Sequence, residues 1–252
     1  MKRTFNYPMT KKRILLYCFL MAAIILISDS ASFASRPFIS TDASVADPGR
    51  LQLELGFFNF IHDRKNIFNI PSLKFNYGLI RDWEIVAESD IQVYNGESNR
   101  DFEIISPAIF SKNILWEGIL QGKQGPSFAV ESGILLPSSV KGERNIGLSS
   151  VGIMSYKFSD FLFHINAGAE LDRVNFKSNA VWGIIGEYPF EGRFRLVGEI
   201  AGTAQHDGPP ENSALIGFVW NSGKVDYDFG FRKGLSDDAP DWELTSGVTF
   251  YF

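Results

Sequence analysis

From residue 50 onward the chain alternates between apolar and polar positions, stretch after stretch, with clusters of turn-forming residues between. Successive side chains of a strand point to opposite faces, so this alternation predicts strands with one apolar face. "FLFHINAGAEL", residues 161–171, sets Phe161, Phe163, Ile165, Ala167, Ala169 and Leu171 against His164, Asn166, Gly168 and Glu170. "RLQLELGFFNF" (50–60), "PSLKFNYGL" (71–79) and "WEIVAESDIQVY" (83–94) follow the same rule, with one face apolar and the other polar or glycine. Further segments at 101–112, 127–136, 147–158, 180–190, 194–204, 213–221, 224–235 and 242–252 bring the count to twelve.

The connections have a rhythm of their own. "IRD", "SD", "EGR" and "NSGK" are tight, whereas "IHDRKN", "NGESNR", "PSSVKGERN", "DRVNFKSN", "HDGPPEN" and "SDDAPD" are longer and polar. Short turns at one end, long loops at the other and an even strand count predict an all-β fold, an antiparallel up-and-down transmembrane β-barrel. Strands of about ten residues cross a bilayer when tilted. One stretch breaks the rhythm: "NILWEGILQGKQGP", residues 113–126, stands where a short turn belongs. Pro107 also falls inside the preceding strand, where it removes a ladder hydrogen bond. The stretch reads as a longer strand with a Gly/Pro turn or as a short interfacial helix; if both fail, the count drops to ten. A secreted β-sandwich explains the alternation equally well, but requires neither the turn rhythm nor an aromatic last residue.

Aromatic residues gather at the edges of the apolar band in membrane barrels. Trp83, Phe158, Phe161, Tyr188, Phe190, Phe194, Trp220 and Phe252 fall at tight-turn ends, and Phe58, Phe60, Tyr94, Phe102, Phe176, Trp182 and Trp242 at long-loop ends.

The N-terminal region supplies a compartment. Residues 1–13 carry five positive charges and no negative one, residues 14–27 are uncharged, and Ser32 and Ala34 are small. That is the order of a secretory signal, and the apolar run is shorter than the roughly 20 residues of a membrane-spanning helix. The expected organisation is a cleavable signal at 1–34, a periplasmic segment at 35–49 and the barrel at 50–252. Cys18 is the single cysteine, so a chain cleaved after Ala34 has no disulfide to lean on. Cleavage removes five of 24 basic and one of 29 acidic residues, leaving 19 against 28 and a net charge near −9. That balance argues against nucleic acid as a partner.

If the apolar face meets lipid, the other face lines the barrel. It carries Glu54, Glu84, Glu88, Asp90, Glu103, Glu131, Glu170, Glu187, Glu199, Asp226, Asp228 and Glu243 against Lys74, Lys157, Arg195 and Arg232. An acidic wall favours cations; the competing expectation is a lumen filled with ion pairs and water. His164 also faces inward, with Glu170 on the same strand face. A lipid-modifying enzyme would need a nucleophile, base and orienting group together. Ser132, Ser149 and Ser155 are available, but no spacing selects one. No catalytic residue, metal site or cofactor is assigned; Asp237, Asp238 and Asp241 read as a solvated acidic loop.

The last strand, "TSGVTFYF", resembles the C-terminal signal by which the outer-membrane assembly machinery recognises bacterial barrels, with Thr245, then Gly247, then Phe250 and Phe252. Residues 35–57 and 232–252 resemble the ends of a family of outer-membrane barrels named for the meta-cleavage pathway of phenol degradation and often labelled transporters. Arg36, Pro37, Asp42, Pro48, Gly49 and Glu54 match at the front, Gly234, Leu235, Asp241 and Trp242 at the back, and "YGLIRDWEI" resembles an internal hairpin. The resemblance implies the barrel fold and the cell outer membrane, with membrane lipid as surroundings, and implies cargo less firmly; with the acidic wall, the expected role is a passive conduit for small solutes, cationic or aromatic ones among them. A closed structural or adhesion barrel acting through its loops is the alternative.

Overall fold

A computed structural model describes residues 36–62, 65–94, 102–174 and 176–252. The signal expected at 1–34 lies outside the described residues. Among those described, twelve antiparallel strands follow in chain order: β1 (Leu51–His62), β2 (Lys65–Ile80), β3 (Trp83–Tyr94), β4 (Phe102–Trp116), β5 (Ser127–Leu135), β6 (Gly147–Phe158), β7 (Phe161–Leu171), β8 (Ser178–Phe190), β9 (Phe194–Ala204), β10 (Glu211–Asn221), β11 (Val225–Gly234) and β12 (Trp242–Tyr251). Each strand pairs with its sequence neighbours, and β12 pairs with β1, closing the barrel. Closure removes every sheet edge, which a bilayer without water demands. The seam is tied at its end, where Phe252 and Leu51 exchange backbone hydrogen bonds of 2.8 and 3.2 Å.

The faces are inverted relative to a water-soluble protein. Phe75, Ile85, Ile109, Phe163, Ile165, Ile184, Ile200 and Phe229 point outward and stay exposed, whereas Glu54, Glu84, Lys112, His164, Glu199, Asp228 and Arg232 are buried. An apolar belt of this extent has no place in water; it is a lipid-facing surface. Aromatic pairs reinforce the belt, among them Phe194 with Trp220, Trp220 with Tyr227, and Phe250 with Phe252.

Pro107 is accommodated without ending its strand. The β3–β4 register slips between Glu88 and Asp90, opposite Ile105 to Ala108, and Ser106 takes a left-handed conformation with φ 50°. This is a bulge, a setting in which a strand tolerates proline. Strand β4 then runs on to Trp116, so 113–126 is a longer strand plus a turn in which Gly122 and Gly125 supply positive φ. The turn also holds a 3-10 helix, Ile119–Gln121. It does not lie at the membrane interface: its Leu120 packs on Ala43, Ala129 and Ile153 inside the barrel.

Two further expectations are corrected. "IHDRKN" is not a long loop, because β1 and β2 pair as far as His62 and Lys65; alternation alone cannot show where polar strand ends keep their ladder. Phe58 is not a girdle residue, since its ring faces the Arg36 guanidinium at 4.8 Å.

Candidate functional site

Residues 36–49, expected in the periplasm, instead run inside the barrel. A short polar segment bound to a polar wall satisfies more backbone groups there than a sequence pattern reveals. The segment ends beside the tight-turn end of the wall, where the Gly49 amide donates to the Gly78 carbonyl at 2.7 Å. Going deeper, Ala46 N–H donates to Glu84 Oε2 at 2.7 Å. Ala43 N–H donates to Ser155 Oγ at 2.9 Å. Thr41 exchanges two bonds with the Asn166 amide, 3.1 and 2.8 Å. The amides of Ile39 and Ser40 both donate to Glu199, at 3.1 and 2.8 Å. Wall strands β3, β6, β7 and β9 therefore each present a side chain to one or two backbone amides of this plug.

The plug's own side chains complete the docking. Arg36 donates to Thr245 Oγ1 at 3.0 Å and to the Ser246 carbonyl at 3.1 Å, and its Nε lies 3.4 Å from Asp228. Glycine makes room for it: a Cβ at Gly56 or Gly247 would collide with the Arg36 guanidinium, and one at Gly183 with Ser40. Lys112 Nζ donates to Thr41 Oγ1 at 3.0 Å and lies 3.5 Å from Asp42 and 3.8 Å from Glu84. Burial pushes the Asp42 carboxyl up, but Lys112, His164 and hydrogen bonds from Ser44 outweigh it and hold it below its ordinary value. Two apolar contacts finish the fit, Phe38 against Val197, Leu215 and Val219 and Ala43 against Ala129 and Ile153.

The inward-facing residues fall into connected groups. Glu54 accepts from Gln52 at 3.0 Å and Asn76 at 2.8 Å, and Lys74 pairs with Glu88 at 3.4 Å. Asp90 accepts from Asn69 at 3.3 Å. Asp226 accepts from Asn221 at 2.6 Å and Tyr251 at 3.0 Å. Arg232 reaches Glu199 at 2.7 Å and Glu243 at 3.4 Å. His164 is bonded not to Glu170 but to Ser155 at 2.7 Å and Glu187 at 3.2 Å, and Glu187 receives Arg195 at 2.7 Å. A Ser–His–Glu chain invites comparison with a hydrolase. Here Ser155 and His164 are fully buried, and the hydroxyl already accepts the Ala43 amide, so the chain holds the plug. Of the C-terminal residues, Thr245 is buried at Arg36 and Gly247 abuts it, while Phe250 and Phe252 stack outside.

Above the plug, on the long-loop side, the lumen opens into a cavity of about 430 Å³. Its floor is Ile39 to Thr41, and Glu88, Glu131, Glu170 and Glu243 line it against Lys74 and Arg232.

Arg36, Asp42 and Lys112 were not singled out by the strand pattern. Arg36 and Asp42 precede the first strand, and Lys112 follows the Pro107 interruption, so no alternation marks them. The signal that could have found them is the glycine on the inward face at Gly56, Gly183 and Gly247, which reports something close inside.

A family model described as "Putative MetA-pathway of phenol degradation" matches residues 34–252. The chain belongs to this family. No curated protein matches it by sequence. Among solved structures, the COG4313 outer membrane channel from Pseudomonas putida F1 is similar with a TM-score of 0.65 at 8% identity, covering 85% of this chain and 100% of that one. A structure described as "CymD monoaromatic hydrocarbon channel" gives a TM-score of 0.47 at 10% identity over 82% of this chain and 88% of that one. The phenol-degradation family member thus has the fold of an outer-membrane channel, surrounded by lipid, with a plug of its own chain.

Proposed function

We propose that this protein is a passive outer-membrane channel for small solutes, with cations and aromatic molecules favoured, whose lumen is narrowed by its own N-terminal segment. The carrying observation is the acid-rich cavity that opens on the long-loop side and ends on residues 39–41. Carboxylates in a low-dielectric tube focus a negative potential and raise the local concentration of cations. The fold relative described as an outer membrane channel supports the same reading. Catalysis is not part of this reading, because Ser155 and His164, a nucleophile–base pair among the described residues, are committed to the plug. Phe250 and Phe252, which face outward, are the part of the last strand offered to the assembly machinery. The negative lumen gives nucleic acid no counter-charge.

Planar-bilayer conductance of refolded residues 35–252 in a salt gradient tests the proposal. Steady conductance with cation preference supports it. A folded, inserted barrel that passes no current favours the second reading, a closed barrel sealed by the plug, for which the anchoring of 36–49 on both sides of the lumen speaks.

A further inference from the structure

Building on the channel reading, we propose that the vestibule holds a specific site for small organic ammonium compounds at Glu131 and Phe110, and so names the solute class that this cavity receives. The charges of the cavity are not balanced within it. Its cations, Lys74 and Arg232, make their ion pairs with Glu88 at 3.4 Å and with Glu199 at 2.7 Å, and Lys74 acts on Glu131 through its charge without a hydrogen bond. Glu131 lines the same cavity, yet its Oε2 is shielded from solvent and has no hydrogen-bond partner among the described residues. A shielded carboxylate oxygen without a donor is costly. An incoming N–H donor with positive charge removes that cost.

A second, independent feature stands beside it. Phe110 also lines the cavity, and the register pairs Phe110 with Gly133 and Lys112 with Glu131. Glu131 is therefore the diagonal neighbour of Phe110 on the inward face, roughly 7 Å away along the wall and within reach of an aromatic side chain. A Cβ at Gly133 would collide with the Phe110 ring, so the glycine lets the ring lie against β5. Lys112, the remaining cation nearby, is 2% exposed and turned down into the plug at Asp42 and Thr41. A carboxylate and an aromatic face together make an ammonium subsite, one supplying the ion pair and the other the ring quadrupole. Val151, the cross-strand neighbour of Glu131, and Val181 and Ala201 further round the wall suit a short apolar body.

The test is calorimetric titration of the refolded mature chain in detergent micelles at fixed sodium chloride, with phenethylammonium and its uncharged analogue 2-phenylethanol as probes. Phenethylammonium is expected to bind about tenfold more tightly than the alcohol, with Glu131→Gln losing roughly that factor and Phe110→Leu about threefold. Heat-modifiable gel mobility reports whether each variant is folded. Equal binding of the two probes, unchanged affinity in folded Glu131→Gln, or no phenethylammonium binding by folded wild type overturns the site. The channel reading fails separately: binding without conductance sinks the channel alone, and conductance without binding sinks the ammonium site alone.

Discussion

Arg36 shows how much a single side chain settles here. It enters a space that exists only because Gly56 and Gly247 lack a Cβ, and it meets Asp228 and Thr245 there. Overpacking of this kind costs about 1–3 kcal/mol, so Gly247→Val is expected to push Arg36 out and loosen the plug while the strands stay paired. The measurement is maleimide labelling of a cysteine placed at Ala43, which is fully buried, in refolded residues 35–252, which contain no other thiol. Labelling in the Gly247→Val background should speed up by roughly tenfold, since about 1.4 kcal/mol is a factor of ten; an unchanged rate would show that Arg36 is not a latch. Asp42 adds a pH dependence. Its carboxyl is held below the ordinary value in the docked state, facing Lys112 from β4, His164 from β7 and Glu84 from β3. A depressed pKa contributes docking stability in full above the unfolded value of about 4, and that stability disappears as pH falls through the docked value. Conductance should therefore hold steady from neutrality down to about pH 4 and rise below it; a flat trace through that range would refute the assignment.

At the scale of elements, the plug and the barrel wall are stabilised by different physics. The wall is a continuous hydrogen-bonded ladder, closed from β1 round to β12, whereas residues 36–49 hold on mainly through side chains of the wall, with a few bonds to its carbonyls and two small apolar contacts. Elements with few buried apolar contacts open at lower free energy than the structure that carries them. Deleting residues 36–46 should leave a folded barrel with several-fold higher single-channel conductance. A deletion variant that folds and conducts no better than wild type would mean that the constriction lies elsewhere.

At the scale of the whole molecule, the lipid belt and the polar interior must both be right for the barrel to stand. Ile165 lies near the middle of β7, pointing out, next in sequence to the buried His164 and Asn166. Ile165→Arg should cost about 2–4 kcal/mol in lipid, the range for a cation near the bilayer midplane; urea unfolding in vesicles reads it, and a loss below about 1 kcal/mol would place this face in water or near the interface.

The sequence by itself determined the wall. Strand alternation is a local rule, because each side chain's face follows from its neighbours' geometry, so β3, β6, β7 and β9 were legible to the residue, and most inward charges with them. Turn lengths then gave the ends. What only the tertiary structure decided were contacts between residues far apart in the chain: Arg36 with Thr245, Thr41 with Asn166 and Asp42 with Lys112. No local period encodes them, since residues 36–49 lie outside the strands and have no alternation to place their side chains. The lumen therefore reads as an acidic tube from the sequence, and as a tube filled from one end by its own chain once the fold closes.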